Sequence, residues 1–253
     1  VDDGRGMSPP ELMENMRHGS KSPLVVREER DLGRFGLGLK TASLSQCRRL
    51  TVVTKQAKVL CGAEWDLDEV ARTEDWSLLE LEPDDISTVP GIESLLPRKT
   101  GTLVVWRTLD RALAGESDPL RALQDHIGRA RSHLALVFHR FTEGSSPVLR
   151  LAINGMEVTP LDPFLRTRKG RQALPPESVT VDGQKVVVEA HILPHISKLT
   201  QAEIAQAGGE EGLRRNQGFY VYRNLRLIAW GTWFRLAKQE EMTKLARVIV
   251  DIP

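Results

Sequence analysis

Two glycine-rich segments near the front of the chain carry residue types that could do chemistry: Val1-Asp2-Asp3-Gly4-Arg5-Gly6-Met7, and Gly33-Arg34-Phe35-Gly36-Leu37-Gly38-Leu39-Lys40. In the first, the Asp2 carboxylate can only accept hydrogen bonds while ionised. Gly4 and Gly6 behind it let the backbone turn tightly and approach a ligand closely. In the second, the glycines open a predicted helix over 39–46. The first N–H groups of a helix lack partners within it, and its dipole favours an anion there. One segment therefore offers an acceptor for a donor group and the other a cradle for phosphate, as two halves of a nucleotide pocket would.

Either segment alone also describes an ordinary turn or helix cap. A third segment, Lys99-Thr100-Gly101-Thr102, leads into a predicted strand over 102–107. The three in this order resemble the GHKL (Bergerat-fold) ATPase superfamily, which includes the large heat-shock chaperone, type II topoisomerases, MutL mismatch-repair proteins, sensor histidine kinases and MORC proteins. The resemblance implies that Asp2 accepts from the exocyclic amine of adenine, with Thr102 placing a hydroxyl beside it. Gly4 and Gly6 would shape the base slot and Met7 line its apolar side. It further implies that Gly36, Leu37, Gly38 and Leu39 offer N–H groups to the phosphates, with Lys40, Gly33 and Arg34 beside them, and that ATP and Mg2+ are the cofactors. The stretch 18–31 matches the ATP lid of those families, from which His18, Lys21 and Arg27 could touch phosphate.

The elements that must position these residues follow from punctuation and periodicity. Strands are predicted over 50–54 and 58–65, then a loop rich in acidic residues and proline over 83–97. Asp118 caps a helix in which Leu120, Leu123, Ile127, Leu134, Val137 and Phe141 recur at helical spacing. Hairpins turn at Asn154-Gly155, Asp182-Gly183 and Arg223-Asn224. A short helix is predicted over 200–207, a last helix over 238–245, and a strand over 247–252. An antiparallel-leaning sheet with helices on one face is a two-layer α/β sandwich, which the resemblance also implies. The division expected is an ATP-binding domain over 1–165, a linker-like stretch at 160–176, and an S5-like α/β transducer domain over 166–253, incomplete at its end. Residues 217–228 look most like the MORC-type branch and its bacterial relatives, and the whole is expected in a MORC/MutL-like branch.

Composition narrows the class. The chain has 253 residues, 40% hydrophobic and 27% charged, enough apolar material for one large or two medium cores. No apolar run approaches a membrane span, and no signal peptide opens the chain. Cys47 and Cys61 lack disulfide or metal spacing, which fits a reducing cytoplasm. The net charge is +1, but residues 1–159 carry 21 basic and 24 acidic side chains, and residues 160–253 carry 14 and 10. Arg166, Arg168, Lys169 and Arg171 form one basic cluster, and Arg214 with Arg215 a second, so contact with DNA is open. His191 and His195 have a metal-ligand spacing, opposed by Pro194 between them. His126, His133 and His139 face irregularly along a helix, and the five tryptophans read as core and interface anchors.

GHKL enzymes carry a glutamate that activates water and an asparagine that binds magnesium on a helix ahead of the first motif. They also bring a lysine from the transducer domain. The general base is accordingly expected upstream of Val1 and the lysine beyond Pro253, with no metal ligand assigned. Glu11, Glu14 and Asn15 read as surface residues of the next helix. The expected function is an ATP-binding and hydrolysing module that closes as a homodimer on ATP and acts on DNA or a DNA-bound partner, although residues 1–253 alone would turn ATP over poorly. A chaperone-like ATPase and a non-catalytic nucleotide-sensing scaffold are the alternatives.

Overall fold

The computed structural model describes residues 1–17, 38–207 and 209–253, apart from the side chain of Glu210. Two compact units divide it, Val1–Ala122 and Leu123–Pro253.

The first unit contains α1 (Pro9–Met16), α2 (Gly38–Leu44), β1 (Arg49–Gln56), β2 (Val59–Asp66), α3 (Leu67–Thr73), β3 (Leu79–Leu81), α4 (Pro83–Ser87) and β4 (Gly101–Arg107). Its four-stranded sheet runs β3-β2-β1-β4, and every pairing is antiparallel. Alternation along β1 explains why both faces are covered. Leu50 and Val52 join Leu12 and Met16 of α1, Leu44 of α2, Ala63 and Trp65. Val53, on the other face, meets Ile86 of α4, Val89, Ile92, Leu95 and Leu103. The acidic, proline-rich stretch expected as loop thus supplies four of the six buried residues of that cluster. Its Glu82–Asp85 capping box and Pro83 at the helix start are the local signals for α4.

The second unit holds most of α5 (Pro119–Val137), then α6 (His139–Thr142), the hairpin β5 (Ala152–Ile153) and β6 (Met156–Glu157), β7 (Gln172–Ala173), β8 (Glu177–Val181), β9 (Gln184–Ile192), α7 (Gln201–Gln206), α8 (Gly209–Arg215), β10 (Gly218–Arg223), β11 (Arg226–Thr232) and β12 (Ala246–Ile252). Its mixed sheet runs β11-β10-β12-β9-β7, with β8 also on β9 and β10 parallel to β12. Both units are therefore α/β. Asp118 Oδ1 accepts from the Arg121 N–H at 3.1 Å, as a helix cap should. Asn154 and Gly155, and likewise Asp182 and Gly183, take the positive φ that tight hairpin turns demand.

Three features differ from what the local sequence signals suggest. The compact units part near the start of α5, and Phe164, which falls in the stretch read as linker-like, is fully buried in the core of the second unit with Tyr220, Tyr222, Leu227 and Ile249. The final helix shrinks to a single 3₁₀ turn, Glu241–Thr243. α8 joins the short helix expected over 200–207, its boundary obscured in sequence by consecutive glycines.

Candidate functional site

The Val1–Met7 segment lies along the end of β4. Asp2 N–H donates to the Thr102 carbonyl at 2.9 Å, and Asp2 Oδ1 accepts from the N–H groups of Gly4 at 2.9 Å and Thr102 at 3.2 Å. The first and third motifs, a hundred positions apart, are thereby one structure. Among the described residues Asp2 Oδ2 takes no hydrogen bond, and the residue is exposed. One carboxylate oxygen is fixed by main chain and the other is open to a donor.

Close backbone approach accounts for the glycines. A Cβ on Gly6, at φ +69°, would stand 2.1 Å from the Lys55 carbonyl oxygen, and one on Gly101 would stand 2.3 Å from that of Asp2. No side chain fits either place.

Thr54 on β1 joins the parts, and sequence reasoning missed it. Its hydroxyl accepts from the Met7 N–H at 2.9 Å, donates to the Gly101 carbonyl at 3.1 Å, and lies 3.3 Å from the Thr102 hydroxyl. It is fully buried. A signal was present: Thr54 interrupts the apolar alternation Leu50, Val52 on the face where Thr102 pairs with it. Met7 packs against the α1 core cluster, with the Asn15 amide 3.4 Å from its sulfur.

Of the second motif, Gly33, Arg34, Gly36 and Leu37 lie outside the described residues, as do His18, Lys21 and Arg27. Gly38 and Leu39 begin α2 and are exposed; a Cβ on Gly38 would meet open space. Lys40 turns inward instead of out to a ligand. Its ammonium is buried and donates to the carbonyls of Asn15 and Arg17, each at 2.7 Å, and burial lowers its pKa. These bonds cap the end of α1, whose last carbonyls otherwise lack partners. They also hold Arg17 beside α2, tying together the two ends of the segment that joins these helices.

Glu11 closes a capping box with Ser8, which lowers its pKa, so it serves the helix start rather than a reaction. Among the described residues no group of three or more His, Cys, Asp and Glu side chains could hold a metal ion. His191 Nδ1 contacts Arg171, and His195 Nδ1 meets Ser197 at 2.8 Å, so these two histidines serve separate local contacts. Cys47 and Cys61 are free thiols whose pKa values burial raises.

The arginines of the basic clusters are engaged internally. Arg166 bonds Asp162 and Glu143, Arg168 forks onto Glu203, and Arg171 meets the His191 ring. Arg214 and Arg215 both engage Glu211.

Residues 1–102 match the family model described as Histidine kinase-, DNA gyrase B-, and HSP90-like ATPase. The GHKL superfamily is thereby supported. The match ends at Thr102, so it spans Asp2 and the described residues hydrogen-bonded to it. It supports ATP binding and ATPase activity in general. No curated protein matches the chain. No helix among the described residues is long and apolar enough to cross a membrane.

Proposed function

We propose that the first unit binds ATP, with Asp2 Oδ2 accepting from the adenine amine and the Thr102 hydroxyl completing that edge of the base slot. The observation that carries this reading is the division of labour at Asp2. Oδ1 is held by two main-chain N–H groups and Oδ2 is open, which presents one oriented acceptor at little cost in side-chain entropy. Gly38 and Leu39, at the exposed start of α2, are the described residues suited to the phosphates, and Gly33, Arg34, Gly36 and Leu37 would complete that loop. Lys40 acts indirectly by fixing the ends of the intervening segment. Magnesium would shield the phosphates when bound; the described residues offer no cluster for it.

The larger role we propose is an ATP-gated switch that closes as a homodimer in the manner of the MORC/MutL-like branch, with the second unit acting as transducer and DNA or a DNA-bound partner receiving the output. Support for that role comes from the likeness of motif order alone. The internal pairing of the arginine clusters argues for a DNA-bound protein partner over direct capture of phosphates by those side chains.

Calorimetric titration with ATP tests the site. In Asp2→Asn an amide N–H can face the adenine amine, donor against donor, and affinity should fall roughly tenfold or more. Unchanged ATP affinity in a folded variant would remove Asp2 from the pocket.

A further inference from the structure

Arg247, on β12, is one of the largest fully buried side chains, with 2% of its surface exposed. Its Nη1 donates to the carbonyls of Lys244 and Ala246, each at 2.9 Å, and its Nη2 to that of Leu213 at 3.0 Å. Among the described residues Nε has no hydrogen-bond partner. Among the described residues no carboxylate forms an ion pair with this guanidinium, whereas buried guanidinium groups ordinarily require one. Burial lowers its pKa, opposed only by the nearby Tyr220 hydroxyl, yet an arginine keeps its proton through the physiological range.

Arg247 lines a cavity of about 60 Å³ within the second unit. Leu136, Leu161, Leu193 and Leu213 supply apolar wall, and Gln206 and Asn216 supply amides. Two carboxylates also border it, and both are engaged elsewhere. Asp162 accepts from the N–H groups of Phe164 and Arg166 and from the Arg166 side chain. Glu203 accepts from Arg168 and from the N–H and hydroxyl of Thr200. The cavity thus joins a desolvated cation lacking a counter-ion to an apolar lining large enough for a group of a few heavy atoms.

We propose that this cavity is a binding site for a small aliphatic monocarboxylate, its carboxylate paired with Arg247 and its short tail against Leu136, Leu193 and Leu213. A carboxylate supplies the acceptor and the charge that three neutral carbonyls leave unmatched, and the leucines favour an alkyl tail over a hydrated inorganic anion. The site is independent of the nucleotide reading, since every residue in it lies in the second unit.

Sodium propionate is the probe, titrated into the whole chain while the arginine Nε–Hε signals are followed by NMR. A saturable shift of the Arg247 signal is expected, with neutral propionamide binding at least about tenfold more weakly, the difference between a charge-assisted and a neutral hydrogen bond. Leu193→Trp, which fills the cavity without removing Arg247, should abolish the shift, and Arg247→Lys should weaken binding. No saturable shift, equal binding of propionamide, or binding unaffected in a folded Leu193→Trp would overturn the proposal.

Discussion

Asp2 at the candidate site of the first unit and the polar groups in the core of the second are held in opposite ways. Asp2 in the first is exposed and oriented by main chain, with an open oxygen. In the second, His139, His191, Tyr220, Tyr222 and Arg247 are buried, with Phe164 stacked among both histidines and both tyrosines. Burial pushes His139 down to about 4, lowers His191, and raises both tyrosines. A carboxylate at the surface keeps its contact with water. Groups sealed in a core specify packing and favour their neutral forms. Arg247 cannot make that adjustment, which is why it stands out within its unit.

The contrast can be broken most forcefully at Gly6. Gly6→Val places a branched side chain where a Cβ already meets the Lys55 carbonyl, and should cost roughly 3 kcal/mol or more of first-unit stability together with nucleotide binding. A thermal melt near that of the parent protein would show that the segment is not held against β1.

Acid should act on the second unit. His139 sits below its ordinary 6.5 when folded, so the unfolded chain binds more protons between about pH 6.5 and pH 4. Its neutral packing is fully stabilising above that window and is lost as pH falls through it, by roughly 1–3 kcal/mol. Glu143, 3.5 Å from its Nδ1, opposes the shift, and Tyr222 bonds its Nε2 at 2.8 Å. Denaturant titrations at pH 7 and pH 4.5 read the effect, and His139→Gln should flatten the slope. An unchanged slope would place the acid sensitivity elsewhere.

A smaller effect is expected at Thr54. Thr54→Val keeps the shape but leaves the Met7 N–H and Gly101 carbonyl without this partner, costing about 1–3 kcal/mol and weakening ATP binding by loosening the backbone on either side of Asp2. Since Thr54 reaches Asp2 only through its neighbours, restored affinity in Thr54→Ser would separate loss of the hydroxyl from loss of packing. The smallest change should come from Arg214→Gln with Arg215→Gln. Both arginines are paired to Glu211, so the salt dependence of any DNA binding should stay as it was. A shallower salt slope would mean that these guanidiniums leave Glu211 for phosphate.

Much of the scaffold was legible because its signals are local. Alternation marked β1, β2 and β4, turn residues marked the hairpins at Asn154 and Asp182, and Asp118 and Thr200 marked helix starts with their own side chains. The errors came where a local signal was faint or misleading. Pro83 and its acidic neighbours read as loop but formed a capped helix, and the Lys238–Leu245 region, with helix-forming composition, closed into a 3₁₀ turn because Gln217 accepts from the Thr243 hydroxyl and donates to the Glu240 carbonyl.

By itself the sequence determined the order of the three motifs, the carboxylate at Asp2, and the freedom of the backbone to turn at Gly4 and Gly6. Residue type dictates those, since only glycine lacks a Cβ. Tertiary structure decided which polar group meets which. Thr54 joins Met7 and Gly101 from 47 positions away on either side, Lys40 caps α1 from 25, and Arg247 reaches Leu213 from 34. Sequence periodicity reports the face on which a residue lies, whereas these pairings depend on how separate elements pack, and packing selects among many partners that the pattern leaves equivalent.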